Sequence, residues 1–139
     1  MNLRTLRLLE YNKIVEMLTS YAASPMAKRK CERLKPRKDL ALIQTLQQET
    51  RDALIRLNTQ GNLSFAGLRD IGASIKRLEV QGALGIKELL DIGSVLDMAL
   101  SARQYGSGDD NEEKAHDSLY SRFMELVPLE HLSQEIHRC

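Results

Sequence analysis

The sequence has few cysteines and no long apolar run. Its 139 residues include only Cys31 and Cys139, which lie far apart and form no CxxC spacing. A disulfide scaffold and a CxxC redox or zinc element are therefore excluded, and a reducing compartment, the cytoplasm, is predicted. No stretch approaches the roughly 18 apolar residues of a membrane span or the h-region of a signal peptide. We therefore predict no membrane partner.

Aromatic residues are also scarce, at 4% of the chain with no tryptophan, so leucine, isoleucine, methionine and alanine must fill the core. No window alternates β-branched and polar residues as a strand does, and no repeat is apparent. The hydrophobic and charged fractions, 42% and 28%, are those of an ordinary globular protein. Aliphatic filling without strand patterns predicts an all-α fold.

Spacings of three and four between apolar residues predict the first helices. One runs from Leu6 to Ala22, with a break near Tyr11–Asn12. A second begins after the Ser24 cap, with proline at its first position, and ends near Leu34. A third begins after the Asp39 cap. The predicted buried face of the first helix comprises Leu9, Ile14, Met17, Leu18 and Tyr21. The predicted stripe of the third comprises Leu42, Ile43, Leu46, Thr50, Ala53, Leu54 and Leu57.

Shorter patterns predict the remaining elements. A helix is expected over 70–78 and a long one over 86–105, in which Gly93 marks a close helix crossing. A flexible loop follows at about 106–111, and two more helices lie beyond it, the last still amphipathic at Cys139. We predict a single helical domain over 1–139, an irregular multi-helix array of six or seven helices. The unfinished last helix predicts that the chain is part of a longer one.

No catalytic, metal or cofactor site is predicted from the residues. The Gly106–Gly108 stretch lacks the lysine and spacing of a phosphate-binding loop. His131, His137 and Cys139 do not have the usual spacing of metal ligands on a helix.

Charge is divided unevenly along the chain. Residues 1–78 hold 15 Lys and Arg against 7 Asp and Glu, whereas residues 79–139 hold 5 against 12. The densest cluster, which we call the basic segment, consists of Lys28, Arg29, Lys30, Arg33, Lys35, Arg37 and Lys38. Such clusters bind phosphate backbones through counterion release, although no aromatic residue is interleaved here for base stacking. The basic segment is therefore a candidate nucleic-acid site, with a solvated surface or a contact to the acidic half as the alternatives.

The order of several short motifs resembles the N-terminal region of the bacterial MutS-two family. The motifs are Leu9-Glu10-Tyr11, Tyr21-Ala22-Ala23-Ser24, Leu34-Lys35-Pro36, Gly67-Leu68-Arg69-Asp70-Ile71, Gly82-Ala83-Leu84 and Glu88-Leu89-Leu90-Asp91-Ile92. The resemblance implies the helical core and lever region of a MutS-like protein, without ATPase or nuclease motifs of its own. The strongly basic character of 28–38 departs from the family, whose corresponding region has mixed charge.

For the longer protein, the resemblance implies an ATPase that uses ATP and Mg²⁺, carries a C-terminal Smr nuclease domain and forms a homodimer. It also implies action on branched DNA in recombination, on collided ribosomes, or on both. The leading hypothesis is that these residues form a structural, motion-transmitting segment without catalysis of its own. The alternative is a stand-alone helical adaptor that binds another protein through an exposed apolar stripe.

Overall fold

A computed structural model describes the backbone of residues 3–108 and 116–138, and the side chains in these ranges from residue 6 onward. All secondary structure in these ranges is helical. The eight helices are α1 Leu3–Leu8, α2 Tyr11–Tyr21, α3 Pro25–Glu32, α4 Leu40–Gln60, α5 Gly72–Glu79, α6 Ile86–Ser107, α7 Tyr120–Met124 and α8 Glu130–Arg138. The all-α prediction is confirmed. The count exceeds the predicted six or seven because Glu10, in the left-handed region at φ 51°, separates α1 from α2.

The predicted helix starts have their expected caps. The Ser24 hydroxyl oxygen accepts from the Ala27 amide at 3.2 Å, and Asp39 Oδ1 accepts from the Leu42 amide at 3.2 Å. Such caps satisfy amides that have no partner within the first helical turn. Asp70 instead accepts from the Gly72 amide, so α5 begins two residues later than predicted.

The long helix α6 organises the C-terminal part of the chain. It packs against α7 and α8, while α2 packs against α3. A Cβ on Gly93 would lie 3.2 Å from Ile136 Cγ2, which confirms the predicted close crossing. The start of the predicted loop was wrong, because α6 continues through Gly106 and Ser107. Residues 109–111 of that loop lie outside the described ranges.

Two predicted apolar faces are not buried. Met17 and Tyr21 of α2 are 62% and 83% exposed, and Leu54 and Leu57 of α4 are also exposed. The predicted burial was wrong for the first helix, since all five residues of its face are exposed. On α4 the predicted apolar stripe is present but largely exposed. The buried positions of α4 are instead Asp52 and Arg56.

The chain therefore has a small core and a large surface. In the described ranges the buried hydrophobic residues are Ile92 and Ala102. The accessible surface is 11102 Å². A monomeric globular protein of 15.8 kDa has about 7,300 Å² by the usual scaling with mass. The chain thus exposes more surface than a self-contained domain of this mass.

Candidate functional site

The basic segment lies on α3 and the stretch that follows it. All seven of its cationic residues are exposed. Arg29 donates from an Nη atom to Asp70 Oδ2 at 2.5 Å, which ties α3 to the start of α5. Among the described residues, the other six cations of the segment have no ion-pair partner within 4.0 Å. The structure thus presents these cations to solvent, and their contact with nucleic acid stays a prediction.

A second polar site lies where α4 meets the end of α6. Arg56 is 8% exposed, and its guanidinium makes paired hydrogen bonds to both carboxylate oxygens of Asp117. It also donates to the carbonyl oxygens of Tyr105 at 3.1 Å and Gly106 at 3.2 Å. A planar guanidinium suits this arrangement because its donors form a fixed fork.

Asp52, one turn before Arg56 on α4, binds Ser118, the residue that follows Asp117. Its Oδ2 accepts from the Ser118 amide at 3.1 Å and from the Ser118 hydroxyl at 2.6 Å, while Gln48 donates to Oδ1 at 2.8 Å. We call the group Asp52, Arg56, Asp117 and Ser118 the Arg56 node. It ties α4 to the stretch that leads into α7, and through the Arg56–Gly106 bonds to α6.

The charges of the node favour its ionised form. The hydrogen bond from Arg56 lowers the pKa of Asp117 below its usual value. The hydrogen bonds from Ser118 lower the pKa of Asp52, and the Asp117 carboxylate raises the pKa of Arg56. Hydrogen bonds and opposite charges both stabilise ionised groups. The node is therefore charged at neutral pH.

Aromatic rings complete the surroundings of Arg56. Its guanidinium carbon lies 5.1 Å from the centre of the Phe123 ring, a cation–π distance. The rings of Tyr105 and Phe123 meet edge to face at 5.8 Å. The Tyr105 hydroxyl donates to the Gly61 carbonyl at 3.0 Å, which holds the end of α4 against α6. The two longest helices are thus joined by polar and aromatic contacts.

A smaller polar cluster joins α6 to α8. Ser133 donates to Asp97 Oδ1 at 2.5 Å, and His137 Nε2 lies 2.8 Å from Asp97 Oδ2. The Ser133 hydroxyl lowers the pKa of Asp97. His137 therefore contacts a carboxylate of α6, while Cys139, the third residue of the rejected metal motif, lies outside the described residues. No group of three potential metal ligands occurs in the described ranges.

An open groove of about 570 Å³ lies between the α2–α3 pair and α4. Its lining includes Tyr21, Ala27, Ala53, Leu57, Leu63 and Phe65. Leu63 and Phe65 thus lie beside α4, and the groove also borders the Arg56 node, since Arg56, Tyr105 and Phe123 line it. None of the described helices combines the length and hydropathy that a membrane span needs.

The Arg56 node was not predicted from the sequence. One signal was present: Asp52 and Arg56 are one turn apart on the charged side of α4, a spacing that places both on one face. The sequence does not show that residues 117 and 118, more than 60 positions later, meet that face. The node's partners could be found only from the tertiary structure.

Several known proteins are similar to this chain over its whole length. Endonuclease MutS2 of Lachnoclostridium phytofermentans is 46% identical over 143 aligned residues, covering 100% of this chain and 18% of the relative. Endonuclease MutS2 of Agathobacter rectalis is 45% identical, covering 100% of this chain and 17% of the relative. Endonuclease MutS2 of a Geobacillus species is 32% identical, covering 100% of this chain and 18% of the relative. The chain thus spans about a sixth of the length of these curated relatives.

No protein-family model matches the sequence, and no solved structure matches the fold. The similarity to these relatives extends over the whole chain and is consistent with an N-terminal MutS2 segment. Over its full length, this chain is similar to a small part of the MutS2 proteins.

Proposed function

We propose that this chain is a structural, motion-transmitting segment of a longer MutS2-type ATPase. The observation that carries the proposal is the similarity of the whole chain to only a sixth of each relative. The excess exposed surface supports it, since a segment built to pack within a larger protein leaves apolar faces open. The segment itself supplies rigid helices and no reaction chemistry.

The two long helices suit a mechanical role. Helices α4 and α6 have 21 and 22 residues and are each about 30 Å long. The Arg56 node joins them through directional bonds that resist sliding more than an apolar contact does. In this proposal a displacement of α4 reaches the end of α6 and the stretch that leads into α7 through these bonds.

The proposal extends to the longer protein. We propose that the longer protein hydrolyses ATP with Mg²⁺ in a dimeric ATPase domain and carries a C-terminal Smr nuclease domain; the word endonuclease in the relatives' names supports the nuclease part. Its clients are branched DNA, collided ribosomes, or both. In this proposal the 139-residue segment connects the ATPase to the part of the protein that embraces the client.

The proposal is tested by measuring ATP hydrolysis with two proteins, the 139-residue chain and the product of its complete reading frame. We expect turnover only by the longer protein. Turnover by the chain alone would refute a purely structural role, and so would a native reading frame that ends at Cys139.

A stand-alone adaptor is the second candidate function. The specific observation in its favour is the exposed apolar face of α2, where Met17 and Tyr21 present a surface that a partner protein could cover. The length of the reading frame separates the two candidates, because an adaptor needs no downstream ATPase.

The basic segment is the proposed nucleic-acid contact within this segment. Its six cations without an ion-pair partner in the described ranges could neutralise several phosphates, in DNA or in ribosomal RNA. The absence of aromatic residues among them favours backbone contact over reading of bases.

A further inference from the structure

Arg29 and Arg33 lie on one side of α3. Residues four positions apart are neighbours on a helix surface, with about 5–6 Å between their Cβ atoms. Arg29 belongs to the last turn of α3, and Arg33 follows as its C-terminal cap. Both residues are exposed. Because arginine side chains are longer than the gap between these Cβ atoms, the two guanidinium groups can meet on one anion.

Arg29 already holds an anionic group. One Nη atom donates to Asp70 Oδ2 at 2.5 Å, and this is the one ion pair that the basic segment makes among the described residues. The pair is open to water, since the side chains of Arg29 and Asp70 are 51% and 46% exposed. An exposed pair of this kind contributes little to stability, so a competing anion can displace it.

A second contact anchors the Asp70 carboxylate. Its Oδ1 accepts from the Gly72 amide at 3.1 Å, which fixes the carboxylate at the start of α5. That hydrogen bond, followed by the one from Arg29, lowers the pKa of Asp70. Asp70 is therefore ionised at neutral pH, and it stays anchored when its pair with Arg29 is broken.

We propose that Arg29 and Arg33 together bind one phosphate group of a nucleic-acid backbone, and that the Asp70 carboxylate occupies Arg29 until this phosphate displaces it. The inference rests on the proposed function, because it requires nucleic-acid contact at the basic segment. A guanidinium binds carboxylate and phosphate with the same forked donors, so one anion replaces the other without a new site.

The exchange favours a polymer over a single anion. Asp70 belongs to the same fold as Arg29, so it competes with the high effective concentration of an intramolecular group. A free phosphate ion has no such advantage. A nucleic-acid backbone gains one, because neighbouring cations such as Lys30 and Lys35 hold its adjacent phosphates. Asp70 thus makes the site selective for closely spaced phosphates, at the cost of some affinity.

The test measures the nucleic-acid affinity of the full-length protein as a function of salt, with a DNA duplex and, separately, an RNA duplex of equal length. Asp70→Asn removes the charge but keeps the side-chain oxygen that accepts from the Gly72 amide. Glu49→Gln is the matched control, because it also removes one carboxylate and frees one exposed arginine, Arg122, outside the basic segment. Circular dichroism of the same preparations checks that each variant keeps its helices.

We expect Asp70→Asn to bind about two- to fivefold more tightly than the unchanged protein. The slope of log affinity against log salt should steepen by about 0.9, the value of one added phosphate contact on duplex DNA. Adding Arg29→Gln should abolish both effects, and Glu49→Gln should leave the slope unchanged. The duplex that gives this response is the source of the phosphate.

Several results would overturn the inference. Weaker binding by Asp70→Asn would show that Asp70 orients Arg29 rather than occupying it. Unchanged binding, an equal gain in Glu49→Gln or a gain that survives Arg29→Gln would exclude the exchange. Neutralising the whole basic segment separates this failure from that of the proposed contact. If that variant keeps its affinity and slope, the contact and the exchange both fail, whereas if it binds more weakly, only the exchange has failed.

Discussion

Replacing Arg56 by methionine tests whether the buried node holds α4 to the C-terminal helices. Methionine keeps much of the side-chain volume but removes every donor. The Asp117 carboxylate then loses its paired hydrogen bonds, and the carbonyl oxygens of Tyr105 and Gly106 lose theirs. The variant therefore isolates the polar contribution of the node from its packing.

The magnitude follows from the burial of the pair. Removing one partner of a fully buried ion pair costs about 3–5 kcal/mol. The Asp117 side chain keeps 24% of its exposure, so water compensates in part, and we expect about 2–3 kcal/mol. Arg122, paired with Glu49 while 58% exposed, is the matched control, and Arg122→Met should cost less than about 1 kcal/mol.

Hydrogen exchange in the full-length protein measures the effect locally, without requiring two-state unfolding. The reporters are the amides of Ser118 and Leu119, which donate to Asp52 and Asp117. A loss of 2–3 kcal/mol accelerates their exchange by about 30- to 140-fold. Arg122→Met should change it less than about fivefold. Equal acceleration in the two variants would refute the node as the tie between these helices.

Three further predictions concern pH, packing and charge. Arg56 lowers the pKa of Asp117 in the folded protein below 3.8. The stability that the Asp117–Arg56 pair contributes is therefore complete above pH 3.8 and is lost as the pH falls through the folded pKa. Protection of the Leu119 amide, corrected for intrinsic exchange, should therefore stay level between about pH 8 and 5 and fall below about pH 4. Gly106→Ala would place a Cβ 2.1 Å from Phe123 Cβ and should destabilise the protein by about 1–3 kcal/mol, measured by thermal unfolding. Gly67→Ala, the control, has open space around the added Cβ and should leave the thermal stability unchanged. Neutralising the basic segment should weaken nucleic-acid binding and flatten its salt dependence in titrations, and an unchanged slope would exclude this site.

Local chemistry explains which parts of the fold were predictable. The caps at Ser24 and Asp39 and the close crossing at Gly93 depend on a few neighbouring residues or on the absence of a side chain, and all three were confirmed. The break between α1 and α2 was placed one to two residues late, because the left-handed conformation of Glu10 leaves little trace in sequence.

Burial could not be predicted in the same way. Periodicity shows which side chains share a face, but not whether that face is covered within the same 139 residues. The apolar stripe of α4 is a real feature that the described chain leaves open, while Asp52 and Arg56 are buried by a segment more than 60 residues away. Long-range pairing of this kind has no local signature.

The central claim, that this segment transmits motion within a larger ATPase, is tested most directly by coupling measurements on the full-length protein. Arg56→Lys keeps the charge but loses the forked pair with Asp117, and Arg122→Lys is the matched control. We measure ATP hydrolysis alone and with branched DNA or ribosomes. The account predicts that Arg56→Lys retains basal turnover but loses stimulation by the client, while the control keeps both. Full stimulation in Arg56→Lys would contradict it.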